Sequence, residues 1–235
     1  MTLHQYHTSL RSRPIEETLH HAQTYAARYG ISRVTDITRL DQVGMPVAAA
    51  IRPGAMEGSL CVNAGKGMTL QEAMVGAYME SIESYLAEPG KAGLEVQQGQ
   101  LEDILHCKQD PGAILQLCPR IGAVLDMAAP VELIEATEIN TGLRSLLPAE
   151  LVYVPYRVPG PGYQTYFGSS SNGLASGNNR EEAIIHGIYE VIERDAMAFQ
   201  AVHDDSWFIA ADSWPESIKA MEQQLRNAGL RLIIR

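Results

Sequence analysis

The chain has 235 residues, a formal net charge of −10 and a pI near 5.1. Its composition, 46% hydrophobic and 20% charged, is typical of a globular protein with a substantial core. The acidic balance argues against a nucleic-acid partner, since such binders present a basic face. It does not exclude phosphate ligands, which carboxylates reach through a divalent cation.

The cysteine pattern and the lengths of the apolar segments indicate the cellular compartment. Cys61, Cys107 and Cys118 form no CxxC pair and no metal-ligand spacing. The first residues lack the apolar segment of a signal peptide, and no apolar run approaches the roughly 20 residues of a membrane span. We therefore expect a cytoplasmic protein with no membrane partner.

Apolar periodicity and breaker residues predict the elements in chain order. Helices are expected at 14–29, 69–87, from about 180 onward and at 215–227, with weaker helical signals at 99–107 and 111–118. Strands are expected at 34–40, 45–53, 59–67, 131–139, 151–158, 163–167 and 230–235. Because strands and helices are interspersed, the fold class is α/β or α+β, with mixed sheets packed against helices.

The last predicted strand, LRLIIR, is followed by no polar tail. A buried strand seldom closes a native chain in this way, so we expect a fragment or a shortened relative of a longer protein.

A loop of small residues leads into an acidic helix in the stretch SNGLASGNNREEAIIHGIYEVIERDA, residues 171–196. On a helical wheel its charged and histidine side chains share one arc, and its isoleucines and valine share the other. The charged arc holds Glu182, His186, Glu190, Glu193 and Arg194.

Two interpretations of this arc remain open. In the first it is a solvated face, with Asn179 as N-cap, Glu182 completing a capping box, and Glu190 paired with Arg194. In the second the loop amides approach an anion and the glutamates bind Mg²⁺, a cation that prefers oxygen ligands. The absence of lysine from the arc favours the second.

A second unit of the same kind occupies residues 63–88. Thr69 and Glu72 fit a capping box, and Glu80 and Glu83 lie about 60° apart on one helix face. Lys66 stands between two glycines before the helix, but Gly67 replaces the Ser or Thr that a Walker A loop requires. The two units together predict carboxylates on two sides of one or more Mg²⁺ ions, with Lys66 and Arg194 balancing phosphate charge.

These two stretches resemble the YcaO family. The later one resembles its S-N-G-x-A-x-G-N loop followed by E-A-x-x-H/Q-G-x-x-E-x-x-E-R, and GKGMTLQEAMVGAYMESIE resembles its earlier acidic segment. The resemblance implies a YcaO-like fold, incomplete at its C-terminus, with residues 1–29 as a helical extension and 30–235 as the ATP- and Mg²⁺-binding region.

The resemblance also implies an activity. Family members use ATP to phosphorylate a peptide backbone amide oxygen, and a nucleophile then forms an azoline or a thioamide in a ribosomally made peptide or protein. The implied partners are that substrate, a TfuA-like or sulfur-delivery protein, and a second copy in a homodimer. No residue stands out as a general base, so the catalytic residue is not assigned.

The motifs assign residues to both cofactors. The implied nucleotide contacts are Lys66, Asn178, Glu182, His186, Glu190 and Arg194. The implied Mg²⁺ ligands are Glu80, Glu83, Glu182, Glu190 and Glu193.

Two departures keep an alternative open. Gly76 stands where the family has Ser, and Ser84 where Arg often follows the second glutamate. The alternative is a YcaO-like accessory subunit that binds peptide or nucleotide without turnover. A carboxylate-bridged metallohydrolase would need histidines at metal spacing, which the sequence lacks.

Overall fold

A computed structural model describes residues 3–5, 10–104 and 112–235. In the described residues the helices are α1 (Ile15–Tyr25), α2 (Leu70–Ala87), the single turn α3 (Ala113–Gln116), α4 (Arg180–Val202) and α5 (Glu216–Asn227). The strands are β1 (His4–Gln5), β2 (Leu10–Arg11), β3 (Arg33–Asp36), β4 (Val47–Ile51), β5 (Val62–Lys66), β6 (Val96–Gln100), β7 (Pro130–Thr137) and β8 (Arg144–Pro148). The predicted mixed α/β class is confirmed.

The chain divides into two compact units. The first comprises Met1–Ala55, Leu60–Glu83 and Asn172–Arg235. The second comprises Met56–Ser59 and Ser84–Ser171. All the predicted site residues belong to the first unit. The predicted boundary at residue 29 stays a prediction, although the structure groups the N-terminal residues with this unit.

The first unit contains an antiparallel sheet in the order β3-β4-β5, on which α2 packs. Its core is unusually rich in alanine, with Ala48 and Ala50 on β4 and Ala73 and Ala77 on α2 all fully buried. Such small side chains let the backbone of a helix approach a strand closely. The approach is closest at Gly65 of β5, where an added Cβ would lie 2.0 Å from the carbonyl oxygen of Ala73.

The second unit contains the antiparallel sheet β6-β7-β8. Aliphatic side chains from β7 and the segment after β6 pack with two aromatic rings in its core, including Leu101, Leu133, Tyr166 and Phe167. Strand β8 pairs with β7 in a hairpin that the sequence patterns did not predict.

Several predicted elements are wrong. Residues 151–158 and 163–167 have irregular backbone and are not strands. Their apolar alternation arises because aromatic side chains of these segments, such as Tyr153 and Tyr166, are buried. Pro155 lacks an amide donor, and the amides of Tyr166 and Phe167 are engaged by a carboxylate. Residues 230–235 form no ladder; the bond from Ile209 N–H to the Ile234 oxygen, 2.9 Å, is isolated.

The two weak helical signals fare differently. Residues 99–100 belong to β6 and not to a helix, whereas 103–104 and 113–116 are helical as expected. The intervening stretch 105–111 lies outside the described residues.

Candidate nucleotide and metal site

Helix α4 turns two glutamates of its polar arc inward. The side chains of Glu182 and Glu190 are only 10% and 20% exposed. Ile185 and Ile192 on the apolar arc are 51% and 58% exposed. An amphipathic helix that serves only structure buries its apolar arc. Glu182 and Glu190 are therefore not part of a solvated face, whereas His186, Glu193 and Arg194 of the same arc are exposed.

Glycines bring the loop before α4 against the helix. A Cβ added at Gly177 would lie 2.6 Å from the amide nitrogen of Ala183, and one added at Gly187 would lie 2.7 Å from the Gly173 oxygen. Gly173 itself has a positive φ of 81°, a conformation that favours glycine. The small residues of this segment therefore serve close packing of the loop on α4.

The helix begins at the predicted cap. Asn179 has extended backbone geometry and its Oδ1 accepts the Glu182 amide at 2.8 Å. The reciprocal half of the predicted capping box is different, because the Glu182 carboxylate turns to the N-terminal segment. In contrast, the box at Thr69 and Glu72 is complete: the Glu72 amide donates to Thr69 Oγ1 at 3.2 Å, and the Thr69 amide donates to Glu72 at 3.0 Å.

Glu182 is held by residues from the first part of the chain. Its carboxylate accepts Arg11 Nη1 at 3.1 Å, Ser12 Oγ at 2.8 Å and Ser12 N–H at 3.2 Å. Asn178 Nδ2 donates to both of its oxygens at 3.2 Å, and Thr18 Oγ1 donates to Asn178 Oδ1 at 2.8 Å. Burial alone would raise the pKa of Glu182, but the bonds from Ser12 and Asn178 and the Arg11 charge lower it overall.

Glu83 on α2 faces the loop and α4. Ser176 Oγ donates to the Glu83 carboxylate, while His186 Nδ1 lies 3.4 Å from the Ser176 backbone oxygen. Burial raises the pKa of Glu83, an effect that the Ser176 hydrogen bond and the nearby His186 only partly offset. Ser176 thus links the α2 carboxylate to the loop.

Glu80 lies one turn before Glu83 and approaches Glu190. Glu80 is an exposed residue, yet partial desolvation of its carboxyl raises its pKa. A hydrogen bond with Asn63 and the charge of Lys66 lower that pKa, and the charge of Glu190 raises it. Two carboxylates from different helices and the lysine of the glycine turn therefore lie within electrostatic range of one another.

The remaining residues lie toward the outside. Arg194 forms the expected ion pair with Glu190, Nη2 to Oε1 at 3.3 Å. Glu193 is exposed, and no hydrogen bond or ion pair to it is seen in the part of the chain that the structure describes. Its role as an Mg²⁺ ligand stays a prediction.

The donor set suits a cation that shares its coordination with phosphates. Among the described residues, no three His, Cys, Asp or Glu side chains are grouped closely enough to hold a metal by themselves. Glu190 of α4 instead lies near enough to Glu80 of α2 for its charge to raise the pKa of Glu80. Mg²⁺ commonly binds through one or two carboxylates, with water and substrate phosphate completing six oxygens. The residues present therefore fit Mg²⁺ bound together with a nucleotide.

The sequence patterns missed the N-terminal contribution to this site. Arg11, Ser12 and Thr18 are separated from Glu182 and Asn178 by more than 150 residues, so no local motif joins them. A sequence signal exists only in the segment LRSRPIEET, where basic and hydroxyl side chains precede a helix. Ser176 belongs to the motif, but its bond to Glu83 has no signature in the sequence.

A family model described as "YcaO cyclodehydratase, ATP- and Mg²⁺-binding" matches residues 64–235. The chain belongs to the YcaO family. The resemblance seen in the two acidic segments is thereby confirmed, and ATP and Mg²⁺ are the cofactors by which this family is described.

Three curated relatives extend the match. A protein of Methanothermobacter thermautotrophicus is 41% identical over 169 residues, 72% of this chain and 42% of that protein. One from Mycobacterium tuberculosis is 32% identical over 231 residues, covering 97% and 51%. A Rhizobium leguminosarum bv. trifolii protein, described as lying in the tfuA 3′ region, is 32% identical over 226 residues, covering 91% and 51%. This YcaO chain spans about half the length of these relatives.

Solved structures agree on the fold. The YcaO protein of Methanopyrus kandleri, bound with AMPPCP and Mg²⁺, superposes with a TM-score of 0.72 at 23% identity, covering 100% of this chain and 58% of that one. A heterocyclase in complex with substrate and cofactor gives 0.72 at 19% identity, covering 99% and 35%. Within the described residues, no helix has the length and apolarity to cross a membrane.

Proposed function

We propose that this YcaO chain binds ATP and Mg²⁺ between α2 and α4 and takes part in activating a peptide backbone amide. The inward orientation of Glu182 and Glu190 on α4, opposite Glu80 and Glu83 of α2, carries the proposal. Glu182 and Glu190 already have ion-pair partners in Arg11 and Arg194. Burial raises the pKa of Glu80 and of Glu83, so a bound cation would compensate these two carboxylates. A family described as ATP- and Mg²⁺-binding supplies the matching ligand.

In this proposal the amide oxygen of a ribosomally made peptide or protein accepts the γ-phosphoryl group of ATP, with ADP leaving. A nucleophile then adds to the amide carbon and phosphate departs, which gives an azoline or, with sulfide, a thioamide. The chain's own residues act by positioning and charge. Lys66, Arg194 and Arg11 offer positive charge to phosphates, and Asn178 and His186 orient the carboxylates beside them.

The partners are also proposals. The relative in the tfuA 3′ region supports a TfuA-like or sulfur-delivery partner for this chain. Cys61 and Cys118 are free cysteines, which is compatible with the proposed reducing cytoplasm. A homodimer is proposed from the family resemblance, and sedimentation analysis of the purified chain tests it.

Ligand-induced thermal stabilisation tests nucleotide binding. A ligand at about 100 times its dissociation constant stabilises a fold by about 2.7 kcal/mol, which for a chain of this size raises Tm by about 5–10 °C. We expect this shift with AMPPCP and Mg²⁺, and its loss in Glu83→Gln and Glu190→Gln. Glu193→Gln tests the exposed ligand in the same assay.

Glu135→Gln is the matched control, because Glu135 is an exposed glutamate whose partner is Arg144. This variant should keep the full shift. A folded wild-type chain whose Tm does not respond to nucleotide and Mg²⁺ would contradict the proposed site.

A non-catalytic accessory subunit is the second candidate. One sequence feature in favour of this candidate was Gly76, which replaces the Ser of the family. A Cβ added at Gly76 would lie 3.1 Å from the Gly65 Cα, so the glycine serves helix–strand packing. Gly76 is therefore weak support for the loss of activity. Ser84 still departs from the family pattern. Nucleotide binding without ATP hydrolysis, in the presence of candidate peptide substrates, would favour the accessory role.

A further inference from the structure

Glu150 is a buried carboxylate that the proposed nucleotide site does not use. It lies in the helical turn Ala149–Leu151 directly after β8, in the second unit, and is only 4% exposed. An ionised carboxylate removed from water is costly unless hydrogen bonds compensate it. The partners of this carboxylate therefore indicate what it stabilises.

Three consecutive backbone amides supply that compensation. The Tyr166 N–H donates to Oε2 at 2.9 Å, and the Phe167 and Gly168 N–H groups both donate to Oε1, the former at 2.6 Å. Gly168 has a φ of 90°, a conformation that favours glycine. One side chain thus fixes the backbone of three successive residues.

The next residue is fixed as well. Ser169 Oγ donates to the Tyr153 backbone oxygen at 2.7 Å and accepts the Tyr156 amide at 3.3 Å. Residues 166–169 are therefore held to the second unit by side-chain bonds, although they form neither helix nor strand.

This fixed segment is the beginning of the loop that ends at α4. The far end of the loop is held by two further hydrogen bonds. Ser176, seven residues after Ser169, donates to Glu83, and Asn178 donates to Glu182. A loop held at its far end alone would sample more backbone conformations, and ordering it on ligand binding would cost conformational entropy.

We propose that Glu150 is a positioning residue for this loop, and that by holding residues 166–168 it raises the affinity for ATP and Mg²⁺. The proposal rests on the proposed nucleotide site. Glu150 acts through the loop and does not touch the ligand.

The isosteric variant Glu150→Gln tests this. The amide offers one acceptor oxygen, and its NH₂ group faces N–H donors, so at least one of the three bonds is lost. We expect hydrogen exchange to accelerate at 166–168 and also at 176–179, with exchange in α1 and α5 unchanged. The Kd for AMPPCP with Mg²⁺ should rise about tenfold. Glu150→Asp keeps both oxygens and should recover part of the affinity, and Glu135→Gln should change neither readout.

Two results would overturn the positioning role. The first is faster hydrogen exchange confined to 166–168 with an unchanged Kd for AMPPCP. The second is an equal loss of AMPPCP affinity in Glu150→Gln and Glu150→Asp, with hydrogen exchange at 176–179 unchanged. If the wild-type chain binds no nucleotide, the proposed function fails, and exchange at 176–179 alone then decides whether Glu150 orders the loop. If Glu150→Gln does not fold, Ser169→Ala removes the adjacent fixation, and unchanged exchange at 176–179 in that variant contradicts the proposal.

Discussion

Replacing Gly65 by alanine should separate α2 from the sheet beneath it. An added Cβ would lie 2.0 Å from the Ala73 oxygen and 2.1 Å from the Ala77 nitrogen. Both atoms belong to the helix backbone, so no side-chain rotation relieves the clash. Restoring a normal contact of about 3.5 Å requires a displacement of roughly 1.5 Å. Overpacking typically costs 1–3 kcal/mol, and we expect about 3 kcal/mol here.

Thermal and urea unfolding measure this cost. A loss of about 3 kcal/mol lowers Tm by about 6–12 °C in a chain of this size. Because α2 carries Glu80 and Glu83, the stabilisation by AMPPCP and Mg²⁺ should also decrease. Gly54→Ala is the control, since nothing lies within 4 Å of an added Cβ there and its φ is not positive. Similar Tm values for the two variants would refute the close approach of α2 to β5.

Three further predictions concern stability. Asn179→Ala removes the N-cap of α4 and should cost about 1 kcal/mol in urea unfolding. A double-mutant cycle of Arg11→Ala and Glu182→Gln should give a coupling of at least about 0.5 kcal/mol, since the Glu182 side chain is mostly buried. Leu133→Ala, at a residue 1% exposed, should cost about 2–5 kcal/mol, whereas Ile192→Ala should cost about 0.5 kcal/mol or less.

Each of these has a matched comparison. Asn140→Ala, in the turn between β7 and β8, should leave stability unchanged and isolates the cap effect. The exposed pair Arg144–Glu135 should show a coupling below about 0.5 kcal/mol. Equal coupling in the two pairs would contradict the partly buried geometry of Glu182. A cost at Ile192 equal to that at Leu133 would show that the outer face of α4 is covered in solution.

Local signals in the sequence predicted the helices well. Pro14, the Thr69 box and the Asn179 cap mark helix starts, and Gly30 ends the first helical segment with a φ of 71°. These signals involve neighbours in the chain, so they are legible without the fold. The strands predicted at 151–158 and 163–167 fail because burial of aromatic rings in irregular backbone gives the same alternation.

The site was predictable to the extent that it is built from two helices with motif spacing. Glu80 and Glu190 were assigned from their helices, and the structure brings them within electrostatic range. Neither the wheel nor the motif decides which side chains of α4 are buried. Contacts such as Ser12 with Glu182 depend on tertiary packing over 170 residues of sequence separation, which periodicity does not encode.

The placement of Glu80 and Glu190 predicts that the binding of Mg²⁺ and the binding of ATP each require the other. The described residues offer no preformed group of three metal ligands, so Mg²⁺ alone would keep most of its water and bind weakly. ATP without Mg²⁺ would bring its phosphates toward Glu80 and Glu190 and be repelled. We therefore expect Mg²⁺ alone and ATP with EDTA each to raise Tm by less than about 1 °C, and both together to give the shift of about 5–10 °C. A full shift with Mg²⁺ alone would mean that the protein holds the cation without phosphate, which the paired arrangement does not allow.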